Sequence, residues 1–270
     1  MAKEKVLITG ASGLVGGLTV EALRDRYEFT ALNRRPVSEI PCIQADISDL
    51  GSIRPAFKNI DKVLHLAAYT DDIHCPCGTR ACDDCWDRTM AITVNGTVNV
   101  LRAAQEAAVS RVVFMSTGGT MNGYERDEGS PYALISEGRF KEVPAVWPKV
   151  TSDWAARPTS PYHVGKLFGE ACARYFADNY DMSVVVIRLG NVSASDRPVT
   201  RRQFSGYLSH TDTTQMIDKC LSAPDDMRYR IFDAISENRW RWRDTAPAKR
   251  ELGWIPASSS DVFNYLEYDE

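Results

Sequence analysis

The chain has 270 residues and no apolar run of about 18 residues, the length that a helix needs to cross a membrane. Its charged start, MAKEKV, leads at once into an apolar pattern, so we expect no signal peptide, no membrane span and a cytoplasmic protein. The formal net charge of −4 lacks the positive excess of a general nucleic-acid binder. No internal repeat is present, and 44% hydrophobic with 25% charged residues is an ordinary globular composition.

A glycine-rich turn follows the first apolar run of the sequence. Residues 6–8 (VLI) are typical of a short buried strand, and Gly10, Gly13 and Gly16 come directly after it. A helical pattern then begins, with Leu14 on its apolar face. Glycines at this spacing permit a tight turn, a close approach of backbone amides to a pyrophosphate and close packing of helix on strand. The stretch therefore predicts a dinucleotide site.

Strand and helix patterns alternate along the chain, which predicts an α/β fold with a doubly wound parallel sheet of the Rossmann type. The predicted strands span residues 6–8, 27–32, 41–44, 61–66, 111–115, 182–189 and 229–233. The main predicted helices span residues 49–58, 89–108, 160–179, 213–221 and 246–252, and residues 118–159 are predicted to be loop. We expect a dinucleotide-binding domain at 1–190, with a cysteine-rich insertion at 71–88, and a small substrate-binding lobe at 191–270, partly interleaved with it.

Tyr162 and Lys166 lie four residues apart in a helical pattern that begins at Ser160, so their side chains share one face. A tyrosine titrates near pH ~10, and a neighbouring ammonium favours its phenolate. The hydroxyl of Thr117 or Ser116, at the end of a predicted strand, could hold a substrate oxygen beside the phenol. Such a set predicts acid–base chemistry at an alcohol or carbonyl group, coupled to hydride transfer.

Several motifs together resemble the extended short-chain dehydrogenase/reductase (NAD-dependent epimerase/dehydratase) superfamily. They are TGASGLVG at 9–16, HLAA at 65–68, GTVN at 96–99, ST at 116–117, YHVGK at 162–166 and RLGN at 188–191. Within the superfamily the chain is most similar to uronate dehydrogenases, through RQFSGYLSH at 202–210, ENRWRW at 237–242 and ELGW at 251–254.

The resemblance implies an NAD(P)-dependent oxidoreductase that transfers a hydride at a carbinol or carbonyl carbon of a sugar or sugar acid. It implies a catalytic set of Tyr162, Lys166 and either Thr117 or Ser116. The implied cofactor-binding residues are Gly10, Ser12, Gly13, Leu14, Val15, Gly16, Asn33, Arg34, Arg35, Asp46, Ile47, Leu66, Ala67, Ala68, Tyr162 and Lys166. The implied substrate-binding residues are Tyr69, Gly118, Gly119, Asn191 and Arg202, with Arg202 placed to bind a carboxylate. A homodimer paired through the helices at 89–108 and 160–179 is also implied.

The sequence departs from the superfamily at three places. Asn33-Arg34-Arg35 stands where an acidic residue usually recognises the ribose of NAD, and two guanidinium groups there favour NADP over NAD. Thr93 replaces an asparagine, and Gly118-Gly119 replaces an Asn-His pair of the uronate dehydrogenases.

Four of the seven cysteines crowd into the insertion, at Cys75, Cys77, Cys82 and Cys85. Spacings of C-x-C and C-x-x-C could present four thiolates to one structural zinc ion. Free thiols or labile disulfides are the alternatives, and the resemblance offers no support for zinc.

A nucleotide-sugar epimerase or dehydratase is the alternative function on this scaffold, and a cofactor sensor without activity is a third. The stretch after residue 190 is short for holding a nucleotide, and the presence of both Tyr162 and Lys166 argues for catalysis. Trp240 and Trp242 suit either stacking on a sugar or core packing, and His65 is predicted to be structural.

Overall fold

The computed structural model of the chain describes residues 2–70 and 81–268. In these residues seven parallel strands form one sheet in the order β3-β2-β1-β4-β5-β6-β7. The strands are β1 Glu4–Thr9, β2 Tyr27–Asn33, β3 Cys42–Gln44, β4 Lys62–His65, β5 Arg111–Thr117, β6 Ser183–Leu189 and β7 Tyr229–Ala234. Each lies where an apolar pattern predicts a strand, and the doubly wound α/β fold is confirmed.

Helices connect the strands. The α-helices are α1 Leu14–Leu23, α2 Leu50–Ile53, α3 Asp83–Arg88, α4 Gly96–Glu106, α5 Pro131–Ser136, α6 Pro161–Asn179, α7 Gln203–Gly206, α8 His210–Leu221 and α9 Ala246–Leu252. Helix α6 begins as predicted, because the side chain of Ser160 accepts a hydrogen bond from the backbone amide of His163 and Pro161 occupies the first helical position. None of the described helices is both long and apolar enough to cross a membrane.

Two predictions of secondary structure, one of a helix and one of a loop, are wrong in detail. The single helix predicted at 89–108 is instead α3, a π-helical stretch Thr89–Asn95 and α4, so helical structure already begins inside the predicted insertion. The predicted loop at 118–159 contains a 3₁₀ helix, Gly118–Arg126, followed by α5. Both are too short to show a clear helical period, and α5 depends on local capping by Ser130, whose side chain accepts from Ala133 N.

The chain divides into two compact units. The first comprises Met1–Ser116, Ser160–Val186 and Cys220–Arg230, and the second comprises Thr117–Thr159, Ile187–Lys219 and Ile231–Glu270. Residues 117–159, which the expected division at residue 190 places in the first domain, belong to the second unit.

In the first unit the sheet is buried on both faces along its central strands. Val6, Leu7 and Ile8 of β1 are fully buried, as are Val63 and Leu64 of β4. Consecutive strands run outward in opposite directions from β1 and β4, so these two strands flank the point where the strand order reverses. Ligands of open α/β sheets bind in the crevice at the carboxyl ends of such a pair.

An aromatic cluster forms the core of the second unit. Trp242 is 3% exposed and packs with Tyr132, their ring centroids 5.6 Å apart. Trp240 packs against the cluster and stacks on Phe140, with centroids 4.8 Å apart and planes 16° from parallel. Trp242 is therefore a core residue, whereas Trp240 packs on the core and also lines a cavity of about 900 Å³ within the second unit.

Candidate active site

The turn after β1 requires glycine at two positions. Gly10 has φ +76°, and a Cβ there would lie 2.8 Å from the backbone nitrogen of Ala67, which follows β4. A Cβ on Gly16 would lie 2.6 Å from the carbonyl oxygen of Gly10, so only glycine lets α1 pack this closely on the turn. Gly13 caps α1 without a side chain, so the amides of the first helical turn have no side-chain cap.

A cavity of about 390 Å³ opens beside this turn, within the first unit. Eleven of the predicted cofactor residues line it: Gly10, Ser12, Gly13, Asn33, Arg34, Arg35, Asp46, Ile47, Leu66, Ala67 and Ala68. Leu14, Val15 and Gly16 do not line it. Leu14 is 41% exposed and the buried side of α1 is formed by Gly16, Thr19 and Val20, so the expected apolar face of this helix is rotated.

The wall of the cavity includes the cationic turn at the end of β2. Asn33 is nearly buried, and its side-chain amide donates to Ser12 Oγ (3.1 Å) and to the carbonyl of Arg35 (2.8 Å). Arg34 and Arg35 are exposed and line the cavity. Asp46 also lines the cavity, and its Oδ1 accepts from the backbone and hydroxyl of Ser48, which holds that carboxylate in place.

Tyr162 and Lys166 lie in the first two turns of α6, also in the first unit. The Lys166 ammonium is 1% exposed, donates to the carbonyl of Met115 (2.7 Å) and lies 5.8 Å from the centre of the Tyr162 ring. Burial lowers the pKa of Lys166 to about 7. The partly exposed phenol thus has a cation beside its ring whose charge changes near neutral pH.

The two candidate hydroxyls at the end of β5 have different partners. Ser116 is 1% exposed and its hydroxyl donates to Glu170 Oε1 over 2.6 Å. Thr117 is partly exposed, and its Oγ1 accepts from the backbone amide of Gly119 over 3.1 Å. The Thr117 hydroxyl therefore retains its proton for donation to another oxygen, whereas that of Ser116 is used inside the fold.

Arg202 forms an ion pair with Glu125 in the second unit. Its Nε and Nη2 atoms lie 2.8 and 2.7 Å from the same oxygen, Glu125 Oε2. The Glu125 side chain is 11% exposed and that of Arg202 is 42% exposed. Burial raises the pKa of Glu125, and Arg202 opposes that rise by stabilising the carboxylate.

Gly118 is packed against a buried guanidinium. A Cβ on Gly118 would lie 2.0 Å from Arg243 Nη1, so no larger residue fits here with Arg243 in place. Arg243 is 5% exposed, and its Nη1 pairs with Asp233 Oδ1 at 2.6 Å. Asn191, another predicted substrate residue of the second unit, packs its side-chain amide on Gly206.

A sequence model of the NAD dependent epimerase/dehydratase family matches residues 6–222, more than half of the chain. The chain belongs to this family. It is 28% identical over 272 residues to NAD-dependent glucose-6-phosphate dehydrogenase of Haloferax volcanii, with 97% of this chain and 96% of that protein covered. It is 29% identical over 266 residues to L-arabinose 1-dehydrogenase (NAD(P)(+)) of the same organism, with 95% and 97% covered.

A solved structure shows the same fold. It is a mutant of uronate dehydrogenase from Agrobacterium tumefaciens complexed with NAD, with a TM-score of 0.80 and 23% identity over 100% of this chain and 91% of that chain. The resemblance to the extended short-chain dehydrogenases, and to uronate dehydrogenases among them, is confirmed.

The family position occupied here by Thr93 has a clear structural role. Thr93 Oγ1 accepts from the backbone amide of Tyr69 (3.0 Å) and donates to its carbonyl (3.2 Å), so it fixes the backbone of this predicted substrate residue. Thr93 lies in the π-helical stretch, on which α6 packs closely: a Cβ on Gly165 would lie 3.1 Å from its methyl group. π-Helical turns are frequent at functional sites.

His65 is a buried structural residue, as predicted. It is buried between Thr9 Oγ1 (2.7 Å) and Thr97 Oγ1 (3.1 Å), and burial lowers its pKa to about 3, which keeps the ring neutral. Thr9 Oγ1 also accepts from the backbone amide of Ala67. The chain of bonds thereby fixes the backbone after β4, on the wall of the cavity.

The zinc prediction is not supported by the described residues. Cys75 and Cys77 lie outside them, and no three His, Cys, Asp or Glu side chains are grouped as metal ligands in residues 2–70 and 81–268. Cys82 and Cys85 have their Sγ atoms 3.4 Å apart. A four-cysteine site for this family member stays a prediction.

Sequence reasoning missed several residues that the structure places at these sites. Leu32, Ala45, Thr70 and Ile92 line the cavity. In the second unit it missed Glu125 and Arg243, the partners of Arg202 and Gly118. Glu125 lies in a stretch predicted to be loop, and nothing in its sequence neighbourhood points to a partner 77 residues away.

Proposed function

We propose that this chain oxidises a sugar or sugar acid at a carbinol carbon, with NAD(P) as the hydride acceptor. The observation that carries the proposal is the buried Lys166 ammonium, which lies beside the Tyr162 ring. In the same unit, the glycine turn borders a cavity at the point where the order of the strands reverses. Relatives named as dehydrogenases of glucose 6-phosphate, L-arabinose and uronate support the sugar class.

The cavity residues suit a dinucleotide. The glycine turn would let a pyrophosphate approach the uncapped amides of α1, where the helix dipole favours negative charge. Asp46, Ile47 and Ala67 would border the adenine side, and the exposed guanidinium groups of Arg34 and Arg35 the ribose. When bound, the nicotinamide accepts the hydride from the carbinol carbon.

Three side chains would handle the substrate oxygen and its proton. Thr117 donates a hydrogen bond to that oxygen, because its own Oγ1 is oriented by the amide of Gly119. The Tyr162 phenolate removes the hydroxyl proton as the hydride leaves the same carbon, which produces a carbonyl compound and a neutral phenol. Lys166 in its charged form favours the phenolate that begins the cycle.

The test is a screen of aldoses, aldose phosphates and uronic acids with NAD and NADP, followed by the absorbance of the reduced cofactor. We expect saturable reduction of cofactor with at least one of these sugars. Absence of reduction with every sugar, for a folded protein that binds the cofactor, would contradict the proposal.

We further propose that NADP is preferred to NAD. Only NADP carries a 2′-phosphate, and Arg34 and Arg35 lie on the cavity wall with no acidic residue at the end of β2. Replacing Arg34 and Arg35 by alanine should raise the Kd for NADP by about tenfold or more and change that for NAD less than about twofold, as measured by fluorescence titration.

A matched control removes the same charge at the other end of β2. Arg24 and Arg26 precede the strand and do not line the cavity, so replacing both by alanine should leave the two affinities unchanged. Equal weakening of both cofactors in the Arg34/Arg35 variant would show that these residues do not discriminate between them.

We also propose a homodimer formed through α6 and the preceding helical stretch. Val164, Phe168 and Tyr175 of α6 are 39%, 43% and 54% exposed, and their spacing places them on one face. A second copy of the chain would cover this face by a two-fold contact. Light scattering should therefore give twice the mass of one chain.

Phe168→Glu should yield the single-chain mass, because a charge would be buried in the contact. Val262→Glu, at a residue 78% exposed in the second unit, is the control and should keep the doubled mass. A single-chain mass for the unaltered protein would refute the dimer.

A further inference from the structure

Arg202 is the residue that the family resemblance assigns to a substrate carboxylate, but the fold already supplies it with one. Both contacting nitrogens of its guanidinium converge on Glu125 Oε2 within hydrogen-bond distance. An arginine that has an internal carboxylate partner offers a second carboxylate much less net attraction than an unpaired one.

The two partners differ in burial, so Glu125 depends on Arg202 more than Arg202 depends on Glu125. Glu125 is 11% exposed, whereas Arg202 is 42% exposed. If a substrate carboxylate drew Arg202 away, Glu125 would keep its charge in a poorly solvated place without its closest cation, and such loss of one partner is costly.

A second cation cannot take over from Arg202. The charge of Arg243 also stabilises the carboxylate of Glu125, but the Arg243 guanidinium is held by Asp233 at 2.6 Å. The carboxylate of Glu125 is thus stabilised first by Arg202 and then by Arg243, so a substrate carboxylate at Arg202 would compete with Glu125 for that guanidinium.

The ion pair belongs to the same unit as Gly118, Gly119 and Asn191, three of the predicted substrate residues. Glu125 lies in the 3₁₀ helix that begins directly after Thr117, and Arg243 packs on Gly118 of that helix. Arg202 directly precedes α7, whose Gly206 contacts the side chain of Asn191.

We propose that Glu125 sets the substrate class: by pairing with Arg202 it makes the site favour a neutral aldose over the corresponding uronate. The inference rests on the proposed sugar dehydrogenase function. A carboxylate also accepts hydrogen bonds from sugar hydroxyls, which suits a neutral ring, and it repels a negatively charged one.

The experiment compares kcat/KM for two matched pairs, glucose with glucuronate and galactose with galacturonate, in the unaltered enzyme and in Glu125→Gln. The unaltered enzyme should prefer the hexose by at least about tenfold. Glu125→Gln keeps the shape but removes the charge, so the uronate-to-hexose ratio should rise by about tenfold or more.

Three further variants separate charge from structure. Glu125→Asp retains the charge and should keep the hexose preference even if Glu125→Gln folds poorly. Adding Arg202→Ala to Glu125→Gln should abolish the gain for uronates, because the released guanidinium is then missing. Asp127→Asn removes the exposed partner of Arg157 just beyond the same 3₁₀ helix and should leave the ratio unchanged.

A uronate preference in the unaltered enzyme, or an unchanged ratio in a folded Glu125→Gln, would overturn the inference while the sugar dehydrogenase function stands. No cofactor reduction with any sugar would overturn both. A gain for uronates that persists without Arg202 would also overturn it, since the guanidinium would then have no part in the selection.

Discussion

Tyr162→Phe should lower kcat/KM for sugar oxidation by about 10²–10⁴-fold, the usual contribution of one general acid–base group. The phenylalanine ring fills the same space beside Lys166, so only the phenol oxygen and its proton are lost. The dissociation constants of NAD and NADP should change by less than about twofold, because the cavity that would hold the adenine end does not include Tyr162.

Steady-state rates and a fluorescence titration of the same preparation check the two parts of this prediction together. Tyr180→Phe removes a phenol from the residue that follows α6 and serves as the matched control, with rates expected to stay unchanged. Activity of Tyr162→Phe near that of the unaltered enzyme would remove Tyr162 from the mechanism.

Lys166 should make the free energy of unfolding depend on pH. Its pKa is about 7 in the folded chain, because burial penalises the ammonium, and about 10.4 in the unfolded chain. Between these values the unfolded chain binds a proton that the folded chain does not, so stability rises with pH in this window. Below pH ~7 both states are protonated and the contribution of Lys166 no longer changes.

Methionine at position 166 has no proton to bind. Relative to Lys166→Met, the free energy of unfolding of the unaltered chain should therefore increase by about 2 kcal/mol between pH ~7 and pH ~9. Urea unfolding of both proteins without cofactor, at several pH values, measures this difference. Lys58 is exposed, so the free energy of unfolding of Lys58→Met should depend on pH in the same way as that of the unaltered chain. Parallel curves for Lys166→Met as well would show that the Lys166 ammonium is not destabilised by burial.

The central strands and the glycine turn could be predicted because their determinants are local. Continuous apolar residues such as 6–8 specify a strand buried on both faces, and Gly10 and Gly16 are required by close contacts that any side chain would break. The start of α6 could be predicted for the same reason, since Ser160 and Pro161 act on the first helical turn alone.

What escaped prediction depends on contacts between distant residues or on short elements. The 3₁₀ helix Gly118–Arg126 is too short to show a period, and the π-helical stretch keeps the residue pattern of an ordinary helix. Sequence alone could not separate Thr117 from Ser116, because the difference lies in the hydrogen bond from Ser116 of β5 to Glu170 of α6. The pairing of Arg202 with Glu125 likewise joins residues 77 positions apart.

The most direct measurement of the central claim follows the hydrogen itself. A hexose, a pentose and a hexuronate with deuterium on every carbon that bears hydrogen are each incubated with enzyme and oxidised NAD or NADP, and the cofactor is analysed by mass spectrometry. Hydride transfer predicts that the reduced cofactor gains one deuterium and that the sugar loses one. Recovery of oxidised cofactor without deuterium, beside a sugar that has changed configuration, would contradict the account and identify an epimerase instead.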